Sequence, residues 1–91
     1  MTKRVSIQVF GKVQGVWFRK HVLNVAQRLS IIGFVKNLPD GTVYMEAGGQ
    51  VAELNTLAVA CKKGSPLSTV DRIEVQELKR TGKETDFRII R

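Results

Sequence analysis

An α+β fold of two layers, an antiparallel sheet with two helices on one face, is predicted for this chain by three features of its sequence. Segments of apolar–polar alternation read as strands. Two segments with apolar residues at i, i+3, i+4 and i+7 read as amphipathic helices. Their order is strand, helix, strand, strand, helix, strand, with a short strand at the end. That order is the split β-α-β, or ferredoxin-like, βαββαβ arrangement. Ninety-one residues suit a single domain spanning 1–91, with no internal repeat or linker.

The elements follow in chain order. Val5, Ile7 and Val9 alternate with Arg4, Ser6, Gln8 and Phe10, a strand with one buried face. Val22, Val25, Ala26 and Leu29 then recur at helical spacing, predicting a helix from about Phe18 or Arg19 to near Ser30. Residues 32 to 38 read as a strand. Pro39-Asp40-Gly41 is a turn, with proline early and glycine last. Val43, Met45 and Ala47 continue as the second strand of a hairpin, which Gly48-Gly49 is expected to stop. Val51, Leu54, Leu57, Ala58 and Cys61 make the second helix. Lys62-Lys63 suit its negative end, and Gly64 its C-terminal cap. Residues 70 to 78 read as a long strand, Thr81-Gly82-Lys83 as a turn, and Phe87-Arg88-Ile89 as a closing edge strand. Arg88 and Arg91 there would discourage edge-to-edge association, in keeping with a monomer.

Composition narrows the function. The chain is 43% hydrophobic and 25% charged, which fits a globular rather than a disordered protein. No apolar run approaches a membrane span, and no secretory leader is evident. A lone cysteine forms no internal disulfide, so a reducing compartment, the cytoplasm, is expected. The net charge of +7 suits an anionic ligand. That ligand is a nucleic acid, a membrane surface or a small phosphorylated substrate, and the spread of the basic residues along the chain argues against a dedicated nucleic-acid patch.

Gly11-Lys12-Val13-Gln14-Gly15-Val16-Trp17-Phe18-Arg19 joins the first strand to the first helix. Glycines permit tight turns and close approach. A helix start leaves N–H groups free for an anion. A cation at a helix N-terminus is locally unfavourable, so Arg19 also argues for an anion nearby. The stretch lacks the Gly-Lys-Ser/Thr ending of a nucleotide loop, and no Gly-x-Gly-x-x-Gly occurs. With one histidine and one cysteine far apart, a structural zinc set is ruled out. No acidic pair near the loop suggests a magnesium site. An enzyme built on this loop is expected to work largely without metal or conventional acid–base residues. That restricts the leaving group. An alkoxide needs a proton to depart; a carboxylate, whose conjugate acid has a pKa of about 4, does not. For an acyl phosphate, positioning and charge neutralisation suffice.

The run from Val9 to Arg19 resembles the first signature of the acylphosphatase family. Gly33-Phe34-Val35-Lys36-Asn37, followed by Gly41-Thr42-Val43 and Gly49, is similar to the second. Lys63-Gly64-Ser65-Pro66 and Phe87-Arg88-Ile89 fit as well, so the resemblance covers essentially the whole chain. It implies the ferredoxin-like fold and metal-independent hydrolysis of an acyl phosphate to a carboxylate and inorganic phosphate. By position it implies that Arg19 binds phosphate and that Asn37 orients the attacking water. The backbone amides of Gln14, Gly15, Val16, Trp17 and Phe18 would complete the phosphate cradle. Trp17 stands where the family is variable and often small, which bears on the width of the mouth or on substrate preference.

Other residues have plainer readings. Thr42 touches the site through a water or is a sheet-surface threonine. Lys12, Lys20 and Lys36 either raise the local potential or are scattered surface charge. His21, two residues from Arg19, does not share its helix face and reads as non-catalytic. Cys61 reads as core. Trp17 is either exposed at the loop or packed over it. The competing class is an RNA-binding or phosphate-sensing module. An RNA-recognition sheet stacks bases on aromatics of its central strands. The first strand offers only Phe10, and the strand of residues 70 to 78 has none.

Overall fold

The computed structural model describes residues 1–79 and 84–90. The turn expected at Thr81-Gly82-Lys83 and the terminal Arg91 lie outside these residues. The elements are β1 (Thr2–Lys12), α1 (Phe18–Arg28), β2 (Ile32–Asn37), β3 (Val43–Gln50), α2 (Val51–Lys63), β4 (Thr69–Leu78) and β5 (Phe87–Ile89). The sheet order is β4-β1-β3-β2-β5. Both helices pack on one face, α1 over β2 and β5 and α2 over β1, β3 and β4. This is the ferredoxin-like arrangement with a fifth strand.

The sheet departs from the expected antiparallel pattern in one place. β1, β2, β3 and β4 pair antiparallel, but β5 pairs parallel with β2. A second departure is that Gly48-Gly49 does not stop β3, which runs to Gln50, paired with β1 throughout and with β2 as far as Gly48. A Cβ at Gly48 or Gly49 would meet only ordinary contacts with Ile32 and Ile31, so neither position breaks the strand. Because β1 and β2 both oppose β3, they run in the same direction. The C-terminal ends of β1, β2 and β5 therefore share one edge of the sheet with the start of β4.

The core lies between sheet and helices. Ile7 and Val9 of β1, Val35 of β2, and Val43, Met45 and Ala47 of β3 meet Phe18, Val22, Val25 and Ala26 of α1. Leu54, Leu57 and Cys61 of α2 complete it. Cys61 is buried with its thiol pushed up to about 12 by desolvation, so it stays neutral and packs as an apolar group. In β4 the phase shifts. Phe10 pairs with Arg72 but Gly11 pairs with Val70, leaving Asp71 as a bulge. The bulge lets Val70 and Ile73, three residues apart, both pack against the core. Gly11 is obligatory beside it: a Cβ there would stand 2.2 Å from the Thr69 carbonyl oxygen.

The face without helices is also partly covered. Arg4 is 6% exposed and Ser6 is 7% exposed, although alternation alone placed them in solvent. The Arg4 guanidinium bonds to carboxylates of both Glu46 and Glu84, which offsets the cost of burying its charge. The Tyr44 hydroxyl donates to Glu46 at 2.8 Å. The central neighbour of β1 is β3, not the strand from residue 69, so the open face does carry an aromatic, Tyr44, on its second central strand. Its hydroxyl is committed to Glu46, and the Phe10 ring is covered by the Arg72 guanidinium at 3.8 Å. The open face is thus a closed set of partners rather than an array of free rings.

Candidate active site

The loop from Val13 to Trp17 leaves β1 at the sheet edge where β2 ends. Val13, Val16 and Phe18 are buried and anchor it. Between the anchors the chain adopts left-handed backbone at Gly15 (φ 73°) and again at Trp17 (φ 62°), the residue capping α1. Non-glycine residues rarely adopt this conformation, and one bulky residue there stores about 1 kcal/mol or more. The helix start has no side-chain cap and no acidic residue in its first turn. Among the described residues, no backbone N–H from Gln14 to Lys20 finds an acceptor. The result is a concave run of donors at the positive end of a helix, with Arg19 in the first turn.

Two side chains that sequence reasoning missed fix this loop. The Gln14 amide donates to the Leu38 carbonyl at 2.8 Å and to the Thr42 carbonyl at 2.9 Å. It ties the loop to the β2–β3 hairpin immediately beyond Asn37. The Ser65 hydroxyl, buried after α2, donates to the Val16 carbonyl at 3.3 Å. The backbone role expected for Gln14 stands beside this second role of its side chain. No local signal announces either cross-link, because the partners lie 24, 28 and 49 residues away.

The hairpin itself is as read. The Gly41 N–H donates to the Leu38 carbonyl at 3.1 Å, and the Leu38 N–H to the Thr42 carbonyl at 2.9 Å. Asp40 accepts from the Thr42 hydroxyl and backbone N–H, which together hold its carboxyl below the usual range. Thr42 is buried and also accepts from the Gln8 amide at 3.0 Å. It is therefore a structural clasp of the turn, on the face opposite the loop.

Asn37 ends β2, paired with Val43. It shares the face of buried Val35, which is the helix side of the sheet. Its Oδ1 is buried with no hydrogen-bond partner among the described residues. An unpaired buried acceptor costs about 1–3 kcal/mol, so such an atom calls for a reason.

A cleft of about 590 Å³ opens at this edge, lined by Val13, Gly15, Trp17, Phe18, Arg19, Lys20 and Ile89. Arg19 is half-buried on its wall. Asn37 does not line this cleft. Ile89, which does line it, pairs with Val35, and Asn37 lies two residues farther along the same strand face. Trp17 is 77% exposed, which settles its position: it stands out at the rim. His21 packs against the Phe18 ring, with centroids 6.3 Å apart, and does not line the cleft. Among the described residues no cluster of His, Cys, Asp or Glu is grouped as a metal site would require. Among the described residues, no helix is long and apolar enough to cross a membrane.

Known proteins match this chain along its whole length. The acylphosphatase family model matches residues 5–89. An acylphosphatase of Methylococcus capsulatus is 40% identical over 89 residues, covering 98% of this chain and 97% of that protein. The crystal structure of acylphosphatase from Bacillus subtilis superposes with a TM-score of 0.93 at 37% identity, covering 100% of both chains. The structure of an acylphosphatase from Coxiella burnetii gives 0.92 at 32% identity, covering 98% of this chain and 93% of that one. Taken with a loop of free donors after β1 and an arginine in the first turn of α1, these matches lead to one conclusion: the chain belongs to the acylphosphatase family, enzymes that hydrolyse acyl phosphates.

Proposed function

We propose that the phosphoryl group of an acyl phosphate binds in the loop, against the backbone N–H groups of Gln14, Gly15, Val16, Trp17 and Phe18, with two of its oxygens gripped by Arg19. The planar guanidinium matches such an anion and stays charged at any working pH. Asn37 orients a water in line with the carboxylate leaving group. Its Oδ1 accepts a hydrogen bond from the water and so aims a lone pair of the water oxygen at phosphorus. The amide takes no proton. As the P–O bond to the acyl group breaks, the water oxygen bonds to phosphorus and its proton passes to a phosphoryl oxygen. The carboxylate leaves unprotonated. Charge on the phosphoryl oxygens is met by preorganised donors, which is where most of the acceleration arises.

The observation that carries this reading is the buried, unpartnered Oδ1 of Asn37, next in sequence to the Leu38 carbonyl to which Gln14 ties the loop, whose own N–H donors are also unpartnered among the described residues. An acceptor and a set of donors, each without a protein partner, fit a water and an anion. Lys12 and Lys20 add positive potential for a substrate that is itself anionic. The enzyme acts without a metal or cofactor, as a monomer, in the cytoplasm, and binds neither nucleic acid nor membrane. The test is turnover of benzoyl phosphate with and without EDTA. Undiminished turnover supports the reading; loss that added divalent metal restores would refute the metal-free mechanism.

A further inference from the structure

We propose that Trp17 is the platform for the acyl group, and that the site favours acyl phosphates whose acyl part presents a flat apolar face, as an aromatic acyl group does. The proposal rests on the loop being the phosphoryl cradle and extends it to the other half of the substrate.

The chain alternates across the rim: Val16 is buried, Trp17 is 77% exposed, and Phe18 is buried. With both neighbours anchored, the left-handed backbone at Trp17 holds the indole outside the core. An exposed apolar side chain alone means little. Val59, Leu67 and Val75 are also exposed, but none of them lines this cleft. Trp17 does, with Val13 and Ile89 contributing further apolar wall. The cleft's volume of about 590 Å³ far exceeds what a phosphoryl group occupies and falls among ligand-sized sites. A phosphoryl group held by the loop N–H groups must direct its acyl substituent away from them, toward the mouth where the indole stands. Arg19 and Lys20 supply the polar lining of the same cleft, and the indole, Val13, Phe18 and Ile89 supply its apolar surface. A planar acyl group stacked there gains area burial and an offset-stacked ring contact that a methyl group cannot make.

The experiment compares benzoyl phosphate with acetyl phosphate in the wild type, Trp17→Ala and Trp17→Phe. Both substitutions keep an L side chain at the left-handed position, so the backbone requirement is unchanged. Trp17→Ala is expected to lower the ratio of kcat/KM for benzoyl over acetyl phosphate about five- to tenfold, and Trp17→Phe to hold it within about twofold. An unchanged ratio in Trp17→Ala overturns the proposal. The emission of Trp17, the chain's only tryptophan, supplies a readout independent of turnover. Benzoate should quench it saturably while acetate at equal concentration does not; no response to benzoate likewise overturns the platform. A wild type that hydrolyses neither substrate would count against the catalytic reading instead, and the benzoate titration would still decide the role of Trp17.

Discussion

Replacing Gln14 with glutamate tests how the site is assembled, because the change preserves shape while exchanging the donor for a carboxylate. The Nε2 atom makes two bonds, 2.8 Å to Leu38 and 2.9 Å to Thr42. Each contributes about 1 kcal/mol net. A half-buried carboxylate facing two carbonyl oxygens adds a desolvation and repulsion penalty of about 1–3 kcal/mol. Gln14→Glu should therefore cost about 3–5 kcal/mol, and Gln14→Ala nearer 2, since both carbonyls keep a backbone N–H partner. For a domain of this size 1 kcal/mol moves Tm by about 4–8 °C, so the glutamate variant should melt at least about 12 °C lower at neutral pH. The introduced carboxyl has its pKa raised in the folded state by these surroundings. The deficit is accordingly smallest below about pH 4.3 and grows as pH rises through the folded value. Urea unfolding followed by circular dichroism at several pH values measures this. A glutamate variant within about 0.5 kcal/mol of wild type at neutral pH would refute the claim that Gln14 clamps loop to hairpin.

Other consequences are as direct. Gly33→Ala should unfold the protein or cost more than about 3 kcal/mol, because its Cβ would meet the Glu46 carbonyl oxygen at 1.9 Å on backbone at φ 139°; a fully stable variant would show that β2 and β3 are spaced differently. Acid should destabilise the fold through Glu46. Burial alone would raise its pKa, but bonds from Arg4 and Tyr44 outweigh that and hold it below its ordinary 4.5. A depressed folded pKa contributes stability above 4.5 that is lost as pH falls through the folded value. Glu46→Gln should therefore flatten the acid limb of a stability–pH curve, and an unchanged limb would contradict the ion-pair account.

Much of this fold is legible in the sequence because its signals are local. The 3.6-residue stripe of α1, the Pro39-Asp40-Gly41 turn and Gly64 after Lys62-Lys63 each need only a few neighbouring residues. What escapes is contact between distant segments. Alternation marks Arg4 as solvent-facing, and only Glu46 and Glu84, brought over it by folding, make its burial tolerable. The odd spacing of Val70 and Ile73 makes sense only once the bulge at Asp71 is known. At the site, Gly15 and Arg19 are visible as a motif, whereas the Gln14 and Ser65 links depend on three-dimensional proximity. The conformation of Trp17 is the clearest case. Nothing in its identity predicts left-handed backbone, which follows from the anchoring of Val16 and Phe18 on either side.

The central claim is a division of labour, in which the loop and Arg19 hold the phosphoryl group and Asn37 places the water. It is tested most directly by measuring kcat for benzoyl phosphate and the inhibition constant of inorganic phosphate in Asn37→Ala, with Arg19→Ala as the reference. Arg19→Ala should lose at least about a hundredfold in kcat/KM and bind phosphate more weakly. Asn37→Ala should lose at least about a hundredfold in kcat while its phosphate constant stays within about threefold of wild type. Equal losses of turnover and phosphate affinity in Asn37→Ala would contradict the account.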